Sequence, residues 1–333
     1  MAWLSLRDGS IAVGYGPFEE SSAPPADGIA FYVQDFALKQ ARPWKIPARS
    51  EIFSRECFIE QLPTPEFHSW QWHSMDAVPF SHVFQEIMAA IRSGLFEKTV
   101  PVVTEFAESD ENPRSLLIAA MARQQPPLHS YGWIQKNQGF CGATPELLFS
   151  LHGKNLQTMA LAGTARTEDR HVFEVDEKEI REHEYVAQTL VSKLLDYGHL
   201  TRRSREILDL GSIVHFLTLI EVELSSARSP DEIIERLHPT PALGPLPRTD
   251  VTLGMLLKWR ERLHCPAEFG APFGLWDRGN FDAIVAIRGI WWHGNQIQLP
   301  AGCGIIEASR LVNEWRELRL KRESVKRFLK APK

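Results

Sequence analysis

Two short stretches of this chain repeat one arrangement of charge: Glu179-Ile180-Arg181-Glu182 and Glu314-Trp315-Arg316-Glu317. In each, the glutamates stand three residues apart, which puts both carboxylates on one side of a helix. Near the second pair, Leu311, Trp315, Leu318, Val325 and Leu329 form an apolar stripe, with Glu314, Glu317 and Lys321 on its flank. Beside the first pair runs a similar stripe of Ile180, Val186, Leu190 and Leu194. One reading is two solvated helix faces, with Glu317 and Lys321 as an i, i+4 pair worth roughly a few tenths of a kcal/mol. The other is a shared cation, because two facing carboxylate pairs repel unless positive charge lies between them. Carboxylate oxygens suit a hard ion, Mg²⁺ before Zn²⁺. The residues alone leave both readings open.

The elements that must position these groups can be traced along the chain. Residues 1–75 read as short strands and turns punctuated by Pro24-Pro25, Pro43, Pro47 and Pro63, with an aromatic-polar alternation at 67–73 suggesting a strand. The GxG of 13–16 is followed by Pro17 and no helix pattern, which argues against a nucleotide loop. Phe80, Val83, Phe84, Ile87, Met88 and Ile91 predict a helix ended by Gly94, then 98–103 a strand and 113–124 a second helix. Strands flank a turn at Asn137-Gln138-Gly139, and another strand at 156–161 leads through the turn AGTART into the helix with the first carboxylate pair. A β-branched strand spans 213–224, helices cover 230–237 and about 249–262, and FDAIVAIRGIWW and NQIQLPAGCG read as strands joined at His293-Gly294. The last helix runs from about Ser309 to Leu329. Strands mixed with helices, without strict βαβ alternation, predict an α+β layered fold. Residues 1–75 are expected to belong to the same domain as a core spanning 76–333.

Composition narrows the function classes. The chain has 333 residues, 44% of them hydrophobic, which suits a folded protein with a large core. A net charge of −5 gives no electrostatic reason to expect nucleic acid or an anionic membrane. No apolar run approaches the roughly 20 residues that span a bilayer, and the N-terminus carries no secretory pattern. Cys57, Cys141, Cys265 and Cys303 are scattered without a Cys-x-x-Cys pair, so a reducing cytoplasm is the expected setting.

Six words in order carry a resemblance. They are ATPELLF (143–149), LAGT (161–164), KEIREHEYV (178–186), LHPTPAL (237–243), VAIRG (285–289), and AGCGIIEAS followed by EWRELRLK (301–321). Together they resemble the chorismate-utilising enzymes: isochorismate and salicylate synthases and the large subunits of anthranilate and aminodeoxychorismate synthases. That resemblance covers about residues 80–330 and implies two packed antiparallel β-sheets flanked by helices. It implies Mg²⁺ between the two helices, with Glu182 and Glu317 as direct ligands and Glu179 and Glu314 holding its waters or completing its shell. The ion would grip the ring carboxylate of chorismate. Gly302, Gly304, Gly163 and Thr164 would contact substrate, Lys321 would add positive charge, and His238 would lie near the reacting ring. Arg288, which follows the apolar run Ile284-Val285-Ala286-Ile287, is expected to be buried and to bind the second carboxylate bidentately. Taken without that resemblance, Lys98 reads as a surface lysine at a strand start.

The resemblance also points to a reaction. Members that use water carry Lys in the word matched here by EKTVPV, whereas amine-transferring members typically carry Gln, so Lys98 is the expected base. Ala162 stands where aminodeoxychorismate synthases place a nucleophilic Lys. The expected reaction adds water at ring C2, activated by Lys98, as Glu146 protonates the hydroxyl leaving C4, giving isochorismate. Lys98 would have to be neutral in that step, and Glu146 protonated, which a closed site favours. No glutaminase subunit is expected, and a monomer is. The rivals are a salicylate synthase, an amine-transferring synthase, and a non-catalytic binding protein. Ile180, Val103 and Phe269 depart from the pattern, where many members carry Arg, Arg and Tyr. Whether the product feeds menaquinone or siderophore synthesis depends on neighbouring enzymes.

Overall fold

Strands in this chain bury one face or both, and their pairing is antiparallel throughout. Leu147–His152 is buried along all but its last residue, as a central strand covered on both faces must be. Ile213–Leu224 instead turns Leu219, Glu221 and Glu223 outward while Val222 and Leu224 stay in the core. The computed structural model describes residues 1–62, 70–110 and 112–329. The predicted strand at 67–73 survives as Gln71–Trp72; its first three residues and Pro63 lie outside the described residues.

Seventeen strands form one continuous hydrogen-bonded network. Its first half runs from Ile213–Leu224 through Asn155–Arg166, Leu147–His152, Asn280–Val285 and Pro272–Asp277 to Ile29–Val33. Its second half runs from Val102–Glu108 through Gln296–Gly302, Gly289–His293, Gln138–Thr144, His129–Gln135, Ala2–Ser5 and Ile11–Ser21 to Trp44–Phe53. The halves join where Phe31 pairs with Lys45 and Tyr32 with Trp44. They then pack on each other: Phe273 of the first lies 5.7 Å from Tyr131 and 5.9 Å from Phe140 of the second, ring centre to ring centre. The α+β fold of two packed antiparallel layers is therefore present, with the layers continuous at one edge.

Helices cover the outer faces. Glu177–Leu194 is capped by Asp176, whose carboxylate accepts the Glu179 N–H at 3.0 Å, and buries Val186, Ala187, Leu190 and Leu194 against Asn155–Arg166. Leu311–Phe328 buries Leu318 and Val325 and lies along Gln296–Gly302. Both glutamate pairs sit in the first two turns of their helices, where the helix dipole favours negative charge.

Three predicted elements differ in their irregularities. The 98–103 strand is split at Pro101: Lys98–Thr99 pairs with Ile305–Ile306 in a separate two-stranded sheet, and Val102–Glu108 joins the main network. The predicted turn AGTART is mostly strand, because Asn155–Arg166 runs through it with a bulge between Ala162 and Ala165, and Gly163 has φ +76°. FDAIVAIRGIWW is two strands, Asn280–Val285 and Gly289–His293, so Arg288 stands in a break and not on a strand. At the N-terminus, strands of eleven and ten residues replace the expected short ones, and a register shift between Tyr15 and Phe18 accommodates Pro17.

Candidate active site

The bulge and the break converge on one cavity of about 60 Å³, lined in part by Glu146, Gly163, Thr164, Glu182, His215, Phe269, Arg288, Gly302, Gly304 and Lys321. Arg288 takes φ +55°, a conformation uncommon for a residue with a Cβ. The break lets its guanidinium donate to Ser324 Oγ at 2.6 Å and to His215 Nε2 at 2.9 Å. His215 Nδ1 lies 2.7 Å from the Gly163 carbonyl oxygen, which can only accept, so Nδ1 carries the proton and Nε2 is the acceptor. Burial, with Arg288 and Lys321 nearby, holds the His215 pKa well below the ordinary imidazole value, so the ring is neutral. Burial likewise pushes Arg288 down to about 10, against the pull of Glu317 and Glu146.

Glu146 follows Pro145 in the link between Gln138–Thr144 and Leu147–His152, where Thr144 Oγ1 accepts its N–H at 3.2 Å and its carbonyl accepts Val285 N–H at 3.0 Å. Its side chain is 4% exposed. Burial raises its pKa to about 7 against the attraction of Lys98, Lys321 and Arg288. Near neutral pH the carboxyl thus still holds its proton part of the time, despite the basic side chains around it.

Lys98 is fully buried, with Nζ donating to the Pro241 carbonyl at 2.6 Å and paired with Glu182 Oε1 at 3.2 Å. It lies just behind Gly304, where an added Cβ would come within 2.8 Å of Lys98 Cε and 2.0 Å of Glu182 Oε1. Lys321 bridges Glu317 at 2.6 Å and the Gly302 carbonyl at 2.9 Å. That i, i+4 pair is largely enclosed, with side chains 18% and 11% exposed, so the solvated-face reading fails for it.

The four glutamates face one another across the two helices. Lys178 Nζ lies among them, 2.8 Å from Glu179 Oε1, 3.1 Å from Glu182 Oε2 and 3.4 Å from Glu314 Oε1. Glu179 Oε2 accepts the Thr164 N–H at 2.8 Å, tying the bulge to the carboxylates. Burial and mutual repulsion, only partly offset by Lys178, push Glu179 up to about 7 and Glu314 up to about 8. Burial also works against charge on Glu182, but Lys178, Lys98 and Lys321 outweigh it and bring that carboxyl down to about 2. As the side chains stand, no three His, Cys, Asp or Glu among the described residues are disposed to hold a metal ion. The donor set nonetheless fits a hard divalent cation: it is all carboxylate oxygen, three of its four members converge on one positive charge, and buried Glu314 Oε2 has no hydrogen-bond partner.

Five predicted site residues do not line this cavity: Lys98 lies behind Gly304, Glu179, Glu314 and Glu317 line a neighbouring groove, and His238 is turned away. His238 is buried, its Nε2 bonded to the Phe36 carbonyl at 2.8 Å, with its ring edge-on to Phe36. It anchors the HPTPAL loop, whose Ala242 and Leu243 line the cavity in its place. Two residues went unpredicted. His215 is a lone histidine in an apolar strand, which reads as core, and Lys178 is an ordinary helix-start lysine. Of the departures, Phe269 lines the cavity, whereas Val103 and Ile180 pack in hydrophobic clusters.

A family model described as chorismate binding enzyme matches residues 45–330. Isochorismate synthase EntC of Escherichia coli (strain K12) is 31% identical over 194 residues, covering 54% of this chain and 48% of its own. The chain thus spans about half the length of the curated relatives it matches. Among solved structures, a 2,3-dihydroxybenzoate-specific isochorismate synthase, DhbC, from Bacillus anthracis superposes with TM-score 0.81 at 19% identity, covering 98% of this chain and 96% of that one. MenF, the menaquinone-specific isochorismate synthase from Escherichia coli, gives TM-score 0.82 at 20% identity, covering 99% and 88%.

Proposed function

The chain belongs to the family of chorismate-binding enzymes, and from that premise we propose that it is an isochorismate synthase. The observation that carries this reading is Glu146: a carboxyl buried in the cavity wall, with a pKa near 7, facing cations suited to a dianionic substrate. Relatives named isochorismate synthase support it.

Arg288 and Lys321 provide fixed positive charge for the substrate carboxylates, and Gly302 and Gly304 leave room for backbone N–H groups to approach. Gly163 and Thr164 line the same wall on the bulge. Held by Glu182 and Glu317, with Glu179 and Glu314 completing its surroundings, Mg²⁺ would supply charge to neutralise the ring carboxylate. Lys98 takes a proton from the water that adds to C2. As the ring double bond shifts, Glu146 gives its proton to the hydroxyl departing C4, which leaves as water. Neutral His215 keeps Arg288 aimed into the cavity without adding charge.

No helix among the described residues is long and apolar enough to cross a membrane. All four cysteines are free, which supports a reducing, cytoplasmic setting. We take the enzyme to act as a monomer and, with water as nucleophile, without a glutaminase subunit. The test is to incubate the purified protein with chorismate and Mg²⁺ and resolve the products by chromatography. Isochorismate is the expected product. Salicylate with pyruvate would reassign the enzyme to the salicylate synthases, an aminated product to the amine-transferring ones, and untouched chorismate would overturn catalysis.

A further inference from the structure

Lys178 opens the word KEIREHEYV, yet the proposed reaction gives it no part. Its ammonium lies within 3.4 Å of oxygens from three glutamates on two helices, and those glutamates are all largely buried. Each gives it one oxygen and turns the other elsewhere: Glu182 Oε1 to Lys98, Glu179 Oε2 to the Thr164 N–H, and Glu314 Oε2 to nothing. The distances are those of ammonium contacts, longer than the roughly 2.1 Å of magnesium to oxygen. Side chain and metal ion therefore require different spacings of one set of carboxylates.

Space makes the two occupants alternatives. Lys178 Nζ already takes one oxygen each of Glu179, Glu182 and Glu314, the oxygens that a divalent ion between the two helices would need. Lys178 also has somewhere to go. It lines, together with Glu179, Glu314 and Glu317, an open groove of about 1140 Å³ separate from the inner cavity. Its stem starts in the first turn of Glu177–Leu194, so rotation of the side chain alone frees the ammonium while the helix stays put.

We infer that Lys178 is a displaceable internal counter-ion: it holds the two acidic helices together in the metal-free protein and must swing into the outer groove for a divalent cation to bind. This rests on the proposed metal site and adds to it an occupant that competes for the site. The competition lowers the apparent metal affinity and keeps the metal-free site from flying apart.

Two measurements on the full chain test it. Magnesium chloride is titrated calorimetrically into wild type and Lys178→Met, which keeps the stem and removes the charge. The variant is expected to bind Mg²⁺ about tenfold more tightly and, without metal, to melt at a lower temperature than wild type, a deficit that Mg²⁺ erases. Wild type itself is acetylated with and without Mg²⁺ and mapped by mass spectrometry; Lys178 is expected to react several-fold faster with the metal. This second readout stands even where the variant does not fold without metal. Equal or weaker Mg²⁺ binding by the folded variant, or Lys178 reactivity unmoved by metal that demonstrably binds, overturns the inference and leaves the metal site intact. Absence of Mg²⁺ binding in wild type overturns both.

Discussion

At Glu146, burial and charge pull in opposite directions, and burial wins. Unfolded, the carboxyl titrates near its ordinary 4.5; folded, it does so at about 7. Between those values the native state holds a proton that the unfolded chain has lost, so stability falls as pH rises, and the loss is complete above about 7. At roughly 1.4 kcal/mol per pH unit, the burden is on the order of 3 kcal/mol. Glu146→Gln removes it. Urea unfolding should find the variant more stable than wild type by about 2–3 kcal/mol at pH 8.5, with the two chains matched near pH 4.5. The same variant should lose turnover by roughly 10²-fold or more, because a protonated acid is gone. Wild-type turnover should fall as pH climbs past about 7, and that limb of the profile should vanish in the variant. Lys98→Gln keeps an N–H for the Pro241 carbonyl yet cannot take a proton from water. It should abolish turnover and leave substrate affinity, measured by equilibrium binding, largely unchanged. Undiminished turnover would remove Lys98 from the chemistry.

The elements were legible in the sequence where local chemistry dictates them. Pro230–Leu237 forms where expected, because Pro stands at its start and Ser229 with Glu232 closes a capping box. Ile213–Leu224 forms as expected from its β-branched run. The irregularities were not legible: the bulge at Gly163, the break before Arg288 and the split at Pro101 are each imposed by pairing with remote strands. They are also what aims the site, which is why the motif words located its residues but not their geometry. The connection Cys303-Gly304 between Gln296–Gly302 and Ile305–Ile306 shows how tight that aim is. A methyl group on Gly304 would overlap Glu182 Oε1 at 2.0 Å, and Lys98 behind it blocks retreat. Gly304→Ala should therefore displace Glu182, and the rise in melting temperature that Mg²⁺ gives wild type should disappear. A variant that keeps the full rise would show that Glu182 is not needed for the metal.

Across the whole molecule, the first 53 residues are woven through both layers and form no appendage. Ala2–Ser5 lies between His129–Gln135 and Ile11–Ser21, and Ile29–Val33 pairs with Pro272–Asp277 at the seam. Trp3, Leu4, Ile11, Val13, Phe31, Phe36 and Trp44 are all buried. At about 1.5–3 kcal/mol each, their burial sums to on the order of 10–20 kcal/mol, as much as the roughly 5–15 kcal/mol by which a typical domain is stable. The segment also reaches the site, since the Phe36 carbonyl anchors His238 and through it the loop bearing Ala242 and Leu243. Removing residues 1–75 would expose two long strand edges and leave that anchor without its acceptor. We expect a chain of residues 76–333 to lack a cooperative thermal transition and fixed aromatic packing by near-ultraviolet circular dichroism. A fragment that melts cooperatively and still converts chorismate would show that the core folds alone and that the N-terminal strands are an added layer.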